Sequence, residues 1–357
     1  MARPSHKETT TMQPAYAFLA PGQFARGWHI VRFSRELATG ELQRLHYFGR
    51  DLVLYRGESG RAVVLDAHCP HLGAHLASDG GRLIGDNIAC PFHGWTFDPE
   101  GRCVDIPYAK RIPERARHAL RGWPVLEKDG YIAVWHDPEG NPPEDYLPDI
   151  PDWGQAGWGD WHFHRSRIRA QPCDVIENIV DVAHFAHVHG GEVQSFEASF
   201  TDRTVTQRSR VRQTAGARRI IPPGLAFDFA ASTAEAVAAG SEVTGEATYH
   251  GPAIMTYCAE SRSELVSFRT WWVNWHTPVN DDEVDLCSAV ILASLTDEPL
   301  PAEFVELYAN TAHAAFGQDV EIWKDKIYQA DPILCDGDGP VNKLRRWYEQ
   351  YYLPLRS

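Results

Sequence analysis

The sequence predicts an α+β protein: an amino-terminal all-β domain, then a second domain in which an antiparallel sheet is flanked by helices. Three observations carry this. Between residues 28 and 136, short runs rich in Val, Ile, Leu and Tyr are broken by turn residues, as in WHIVRF, LQRLHYF, DLVLYRG, AVVLDA and GYIAVWHD. That spacing argues several antiparallel strands. Residues 137–154, DPEGNPPEDYLPDIPDWG, then concentrate Pro, Gly and acids without a sustained period, which marks a boundary. Beyond it, FTDRTVTQ, LVSFRTWWVNW and DEVDLCSAVILAS suit strands, and residues 302–330 carry a long amphipathic pattern after Pro301, read as one helix or two in succession. The expected division is a tail at 1–22, a β domain at 23–140, a linker at 141–158 and the second domain at 159–357.

Composition narrows the function. A chain of 357 residues with 43% hydrophobic and 23% charged side chains can bury a sizeable core. Lys and Arg total 34 against 48 Asp and Glu, and a net charge of −14 is the wrong sign for a general nucleic-acid or anionic-membrane binder. Apolar runs such as residues 289–295 fall short of a membrane span, and the amino terminus has no apolar core of a secretory signal. Seven scattered cysteines do not form a disulfide framework. A cytoplasmic location is expected.

Within the β domain, HCPHLGAHL supplies Cys69 and His71, and nineteen residues further ACPFHGW supplies Cys90 and His93. Two thiolates and two imidazoles delivered by two loops make a four-ligand metal site. Zinc uses the same ligand types, but a single residue between Cys69 and His71 is tighter than zinc loops usually are. A [2Fe-2S] cluster with two cysteines on one iron and two histidines on the other asks each loop for one ligand of each kind, as here.

The second domain opens on CDVIENIVDVAHFAHVH, residues 173–189. Val175, Ile179, Val182 and Phe185 recur at helical spacing while Asp174, Glu177, Asn178 and Asp181 follow another stripe, so a helix with a polar face is expected. Its histidines and carboxylates suggest a non-haem Fe(II) site with two histidines and one carboxylate. On a regular helix His184 would pair with His187, whereas His189 lies about 140° away, and local geometry leaves the pair open.

The two loops, Cys69-Pro70-His71-Leu72-Gly73-Ala74 and Cys90-Pro91-Phe92-His93-Gly94-Trp95, resemble those of Rieske-type ring oxygenases. Gly339-Pro340-Val341 and the stretch from Leu344 to Tyr352 are similar to the steroid-acting branch, the 3-ketosteroid 9α-hydroxylase oxygenase components and the cholesterol 7-desaturases. The resemblance implies a [2Fe-2S] cluster on Cys69, His71, Cys90 and His93, and a mononuclear Fe(II) on His184, His189 and Asp319. Here His187 becomes a neighbouring residue, and Glu321 and Asp325 are the alternative carboxylates. It implies that Asp181 links the iron site electronically to the cluster of an adjoining subunit in a head-to-tail homotrimer, with Asn178 beside the ligands. O₂ is then the cosubstrate, and a large hydrophobic molecule such as a steroid is the substrate, to be hydroxylated. Sterol desaturation, demethylation of a small aromatic, and electron carriage without oxygenation are the rival readings. No nicotinamide or plant-type ferredoxin motif is present, so a separate NAD(P)H-dependent reductase, directly or through a ferredoxin, must supply electrons. Residues 220–240 match nothing in that branch and suit a pocket-lining loop or a lid, and for them as for residues 268–275 ordinary core is the alternative to a pocket wall.

Overall fold

The computed structural model describes residues 21–213, 242–262 and 266–352. The expected amino-terminal tail and the unmatched stretch 220–240 fall outside the described residues, apart from the last two residues of the tail.

The amino-terminal part is all strand. β1 (Gly27–Phe33), β2 (Leu42–Tyr47), β3 (Arg50–Arg56), β4 (Ala62–Asp66) and β11 (Tyr131–His136) coincide with the five apolar runs. Between them lie short strands with little periodic signal: β5 (Arg82–Ile84), β6 (Asn87–Ala89), β7 (Thr96–Phe97), β8 (Cys103–Asp105), β9 (Gly122–Trp123) and β10 (Val125–Lys128). They form three antiparallel sheets in the orders β1-β11-β10, β2-β3-β4-β9 and β5-β6-β7-β8. β1 and β11 are covered on both faces, which is why they read as continuous apolar runs. Ile30 and Ala133 face one core, and Val31 and Val134 another.

The second part is built on one seven-stranded antiparallel sheet. Its strands are β12 (His162–Arg169), β13 (Gly191–Phe200), β14 (Thr204–Gln213), β15 (Glu242–His250), β16 (Ile254–Arg262), β17 (Ser267–Pro278) and β18 (Glu283–Ser294), in the order β12-β18-β17-β16-β15-β14-β13. β17 shows why its aromatics are needed. Val273 and Trp275 enter a core shared with Trp28, Phe33 and Trp135 of the β domain, while Phe268 and Trp272 pack on the opposite side with Phe304 and Tyr308.

The irregular stretch after β11 is bound into that seam. Leu147, Ile150 and Trp161 are buried in it, Tyr131 Oη donates to the Pro148 carbonyl at 3.1 Å and Trp271 Nε1 donates to Asp152 at 2.7 Å. Its prolines lack the backbone N–H that a regular ladder needs, so individual side chains anchor it instead.

The structure corrects the single helix expected over 173–189. α1 (Pro172–Ile176) runs into a 3₁₀ turn (Glu177–Ile179), the chain breaks, and α2 (His184–His187) follows. Asp181 causes the restart: its Oδ1 accepts from the backbone N–H of Ala183 at 3.0 Å and of His184 at 3.2 Å, capping a new turn. Gly190, at φ +66°, then turns the chain into β13. Residues 302–330 give one helix, α3 (Ala302–Trp323), opening after Pro301 and burying Ala309, Ala312, His313, Asp319, Val320 and Trp323. α4 (Val341–Glu349) lies near the carboxyl end, with Leu344 and Tyr348 fully buried.

Candidate metal centres

Two loops of the same construction stand at the tip of the β5-β6-β7-β8 sheet. In the first, Gly73 N–H donates to the Cys69 carbonyl at 2.9 Å and Cys69 N–H to the Ala74 carbonyl at 2.8 Å. In the second, Gly94 N–H donates to the Cys90 carbonyl at 3.0 Å and Cys90 N–H to the Trp95 carbonyl at 2.8 Å. Each closure needs a left-handed residue, supplied by Gly73 (φ +79°) and Gly94 (φ +73°).

The loops bring their four side chains together in two layers. Cys69 and Cys90 are buried with their thiols in contact. His71 and His93 lie further out with ring centroids 4.8 Å apart, and Trp95 stacks on His71 at 4.7 Å. Burial, reinforced by the neighbouring Cys90 and Cys103, pushes the Cys69 thiol up to about 12. A thiol buried in this way would ionise only against a cation, so sulfur inside and imidazole outside fit a cluster with one protected and one approachable iron. Leu72 and Phe92 at the loop tips are 65% and 60% exposed.

In the second domain one carboxylate and two imidazoles converge. Ligand atoms of His184, His189 and Asp319 all lie within 4.8 Å of one another. His189 Nε2 is 3.3 Å from Asp319 Oδ1, and the three side chains are mostly buried. His187 is exposed and outside this group, as are Glu321, which pairs with Lys324, and Asp325. The break at Asp181 and the end of α2 at His187 free His189 from helical spacing and let it turn back toward His184.

Hydrogen bonds aim both imidazoles. His184 Nδ1 donates to the Asp181 carbonyl at 2.5 Å, leaving Nε2 unprotonated and facing the group, with Asn178 Nδ2 at 3.4 Å. His189 Nδ1 donates to Gln318 Oε1 at 2.9 Å, leaving Nε2 toward Asp319. Fixing the tautomer through the far nitrogen is the usual support for a metal-binding histidine. Burial lowers the His184 pKa, with Asp319 opposing it; at His189 burial also lowers, but the hydrogen bond and charge of Asp319 and the bond to Gln318 together outweigh it and the pKa is raised. Gln318 has no role in the sequence reading, and the only available signal was its place beside Asp319. Asp181, with 44% of its side chain exposed, sits between the site and solvent. Within residues 268–275, Trp271, Val273 and Trp275 belong to the interdomain core, whereas Phe268 and Trp272 line the side facing α3.

Comparison with known proteins shows the family. The Rieske [2Fe-2S] domain family matches residues 27–118, and the 3-ketosteroid 9alpha-hydroxylase C-terminal domain family matches residues 134–352. A 3-ketosteroid-9-alpha-monooxygenase oxygenase component of Rhodococcus rhodochrous is 36% identical, over 100% of this chain and 88% of its own length. Another from Mycobacterium tuberculosis is 33% identical over 94% and 83%. A cholesterol 7-desaturase of Hemicentrotus pulcherrimus is 29% identical over 93% and 70%. Among solved structures, dicamba monooxygenase bound to 3,6-dichlorosalicylic acid superposes with a TM-score of 0.69 at 17% identity, over 92% of this chain and 97% of that one. At that identity the likeness speaks for the fold.

Proposed function

Because this chain belongs to the family of 3-ketosteroid-9α-monooxygenase oxygenase components, we propose that it is the terminal oxygenase of a multicomponent system that hydroxylates a steroid or a similarly large hydrophobic molecule. The observation that carries the proposal is the convergence of His184, His189 and Asp319 in a chain that also bears the two Cys-His loops. The protein's cofactors are a Rieske [2Fe-2S] cluster and a mononuclear iron, which when bound supply single-electron transfer and O₂ activation respectively.

The residues divide the work. Cys69, Cys90, His71 and His93 hold the cluster, with the histidines outermost, where an electron partner can approach. His184, His189 and Asp319 hold the iron, with their ligand atoms aimed by the Asp181 carbonyl and Gln318. A mononuclear iron held by three protein ligands would keep coordination positions open for O₂ beside the substrate. Asp181 connects His184 to the surface, and in a head-to-tail homotrimer it would face the cluster histidines of an adjoining subunit and bridge the two sites. Phe268 and Trp272 of β17 pack with Phe304 and Tyr308 of α3 in an apolar layer that would border a pocket for a hydrocarbon skeleton. The division at 23–140, 141–158 and 159–357 separates the cluster domain, the connecting strap and the catalytic domain. Electrons come from a separate reductase, directly or through a ferredoxin, in the cytoplasm.

The deciding experiment is aerobic turnover with a surrogate reductase against a mass-spectrometric panel of 3-ketosteroids, sterols and methoxyaromatics. A steroid gaining about 16 mass units supports hydroxylation, and one losing about 2 supports the desaturation suggested by the cholesterol 7-desaturase relative. Absence of any steroid product from protein with about three irons per chain would overturn the substrate assignment.

A further inference from the structure

Four charged side chains meet beside the turn that carries Asn178 and Asp181. Lys326 Nζ stands 2.9 Å from Asp174 Oδ1 and 3.2 Å from Glu177 Oε2. Arg345 Nε donates to the other Glu177 oxygen, and its Nη1 donates to the Gln329 carbonyl at 2.8 Å. Asp174 and Arg345 are buried, and the Glu177 side chain keeps only 12% exposure. Removing such charges from water costs about as much as their pairing returns, so the cluster is a poor source of stability and a good source of geometry.

Glu177 is the node. It joins the 3₁₀ turn to the segment that follows α3, through Lys326, and to α4, through Arg345. The grip continues along the chain: Ile179 and Val180 share a core with Leu344 and Tyr348 of α4. Gly339 approaches so closely that a Cβ there would overlap the Val180 carbonyl oxygen. This gives the Gly339-Pro340-Val341 and Leu344-Arg345 motifs a task that metal ligation does not. The turn held in this way presents Asn178 to His184 and the Asp181 carbonyl to His184 Nδ1, while α3, tied to it through Lys326, carries Asp319.

We propose that Glu177, clamped by Arg345 and Lys326, is a positioning residue for electron delivery. It sets the register between the Asn178–Asp181 turn and the Asp319 helix, so that its loss slows transfer to the mononuclear site without emptying either metal site. This rests on the oxygenase reading above. In the step concerned, each reduced cluster gives up one electron, which passes to the mononuclear site with O₂ as final acceptor.

The test uses full-length, metal-loaded protein. Iron content is measured, the cluster is reduced anaerobically, and its reoxidation on mixing with O₂ and a 3-ketosteroid is followed by visible absorption. The ferrous site is examined separately by electron paramagnetic resonance of its nitric oxide adduct. E177Q should keep about three irons per chain and an unchanged cluster spectrum, reoxidise roughly 10- to 100-fold more slowly, and give an altered nitrosyl signal. R345K, which retains a cation against Glu177, should lie closer to the wild type. If E177Q fails to fold, K326M, which leaves the Glu177–Arg345 pair intact, decides by the same readouts; E177Q that folds but loses iron overturns the proposal. A fully loaded variant with wild-type reoxidation and nitrosyl signal overturns the proposal, whatever its melting temperature. Wild-type protein with only about two irons per chain would instead overturn the oxygenase reading.

Discussion

His189 and Gln318 are joined by a 2.9 Å hydrogen bond from Nδ1 to Oε1, and the next residue of the helix, Asp319, stands 3.3 Å from the opposite ring nitrogen. One step along α3 therefore supplies both the group that aims the imidazole and the carboxylate that would share a metal with it. Q318L should weaken iron binding at the mononuclear site by roughly 10- to 100-fold while leaving the cluster spectrum unchanged. Titration of the apoprotein with Fe(II) under anaerobic conditions measures this directly, and unaltered affinity would remove Gln318 from the site.

Asp319 itself has a sharper test. D319A should drop iron content from about three to about two per chain with the cluster's visible spectrum intact. Loss of both centres together would show that Asp319 supports the fold rather than one metal.

The two histidines that compete for the second ligand position can be separated. H189A should empty the mononuclear site, whereas H187A, which changes an exposed side chain, should retain iron and most activity. Iron analysis of the two variants side by side checks the assignment, and the opposite pattern would reverse it.

Asp181 has a capping role and a proposed electronic one, and two substitutions tell them apart. D181N keeps an oxygen acceptor for the Ala183 and His184 amides; D181A removes it at a cost of about 1 kcal/mol. Both should bind the two metals and nearly stop turnover if the carboxylate is the bridge. Near-normal turnover in D181N, with loss only in D181A, would mean that the cap alone matters.

Buried histidines set an acid limit. Burial lowers His136 to about 4 and His276 to about 3, and His250 falls to about 4 for the same reason. Their unfolded values lie near 6.5, so below that pH the unfolded chain binds protons that the folded one refuses, and stability falls as pH falls. The window runs from about 6.5 down to the folded values, with a slope of up to about 1.4 kcal/mol per pH unit for each histidine. Thermal melts from pH 7.5 to 5 should show a declining Tm below about 6.5, and a Tm that rises on acidification would contradict the burial of these rings.

Part of this molecule is legible in the linear text because its determinants are local. The five long strands of the β domain follow from apolar runs, and the cluster loops follow from a Cys-His pair with a left-handed glycine, all within six residues each. The short strands β5 to β9 leave no such trace, because two or three residues cannot display a period. The helix expected over 173–189 fails for a related reason: hydrophobic spacing continues through Asp181, but the side chain of Asp181 competes for the amides of Ala183 and His184 and restarts the chain.

By itself, then, the sequence determined the α+β class, both ligand-bearing segments and the chemistry they support, because ligand type and loop spacing are properties of a few adjacent residues. Only the tertiary structure decided which histidine stands beside His184, that Gln318 orients His189 from a helix far along the chain, and that Glu177 is gripped by Lys326 and Arg345. The last two relations are contacts between segments more than a hundred residues apart, fixed by how the sheet and α3 pack, and the first depends on where the backbone breaks at Asp181 and turns at Gly190. Periodicity carries no record of them.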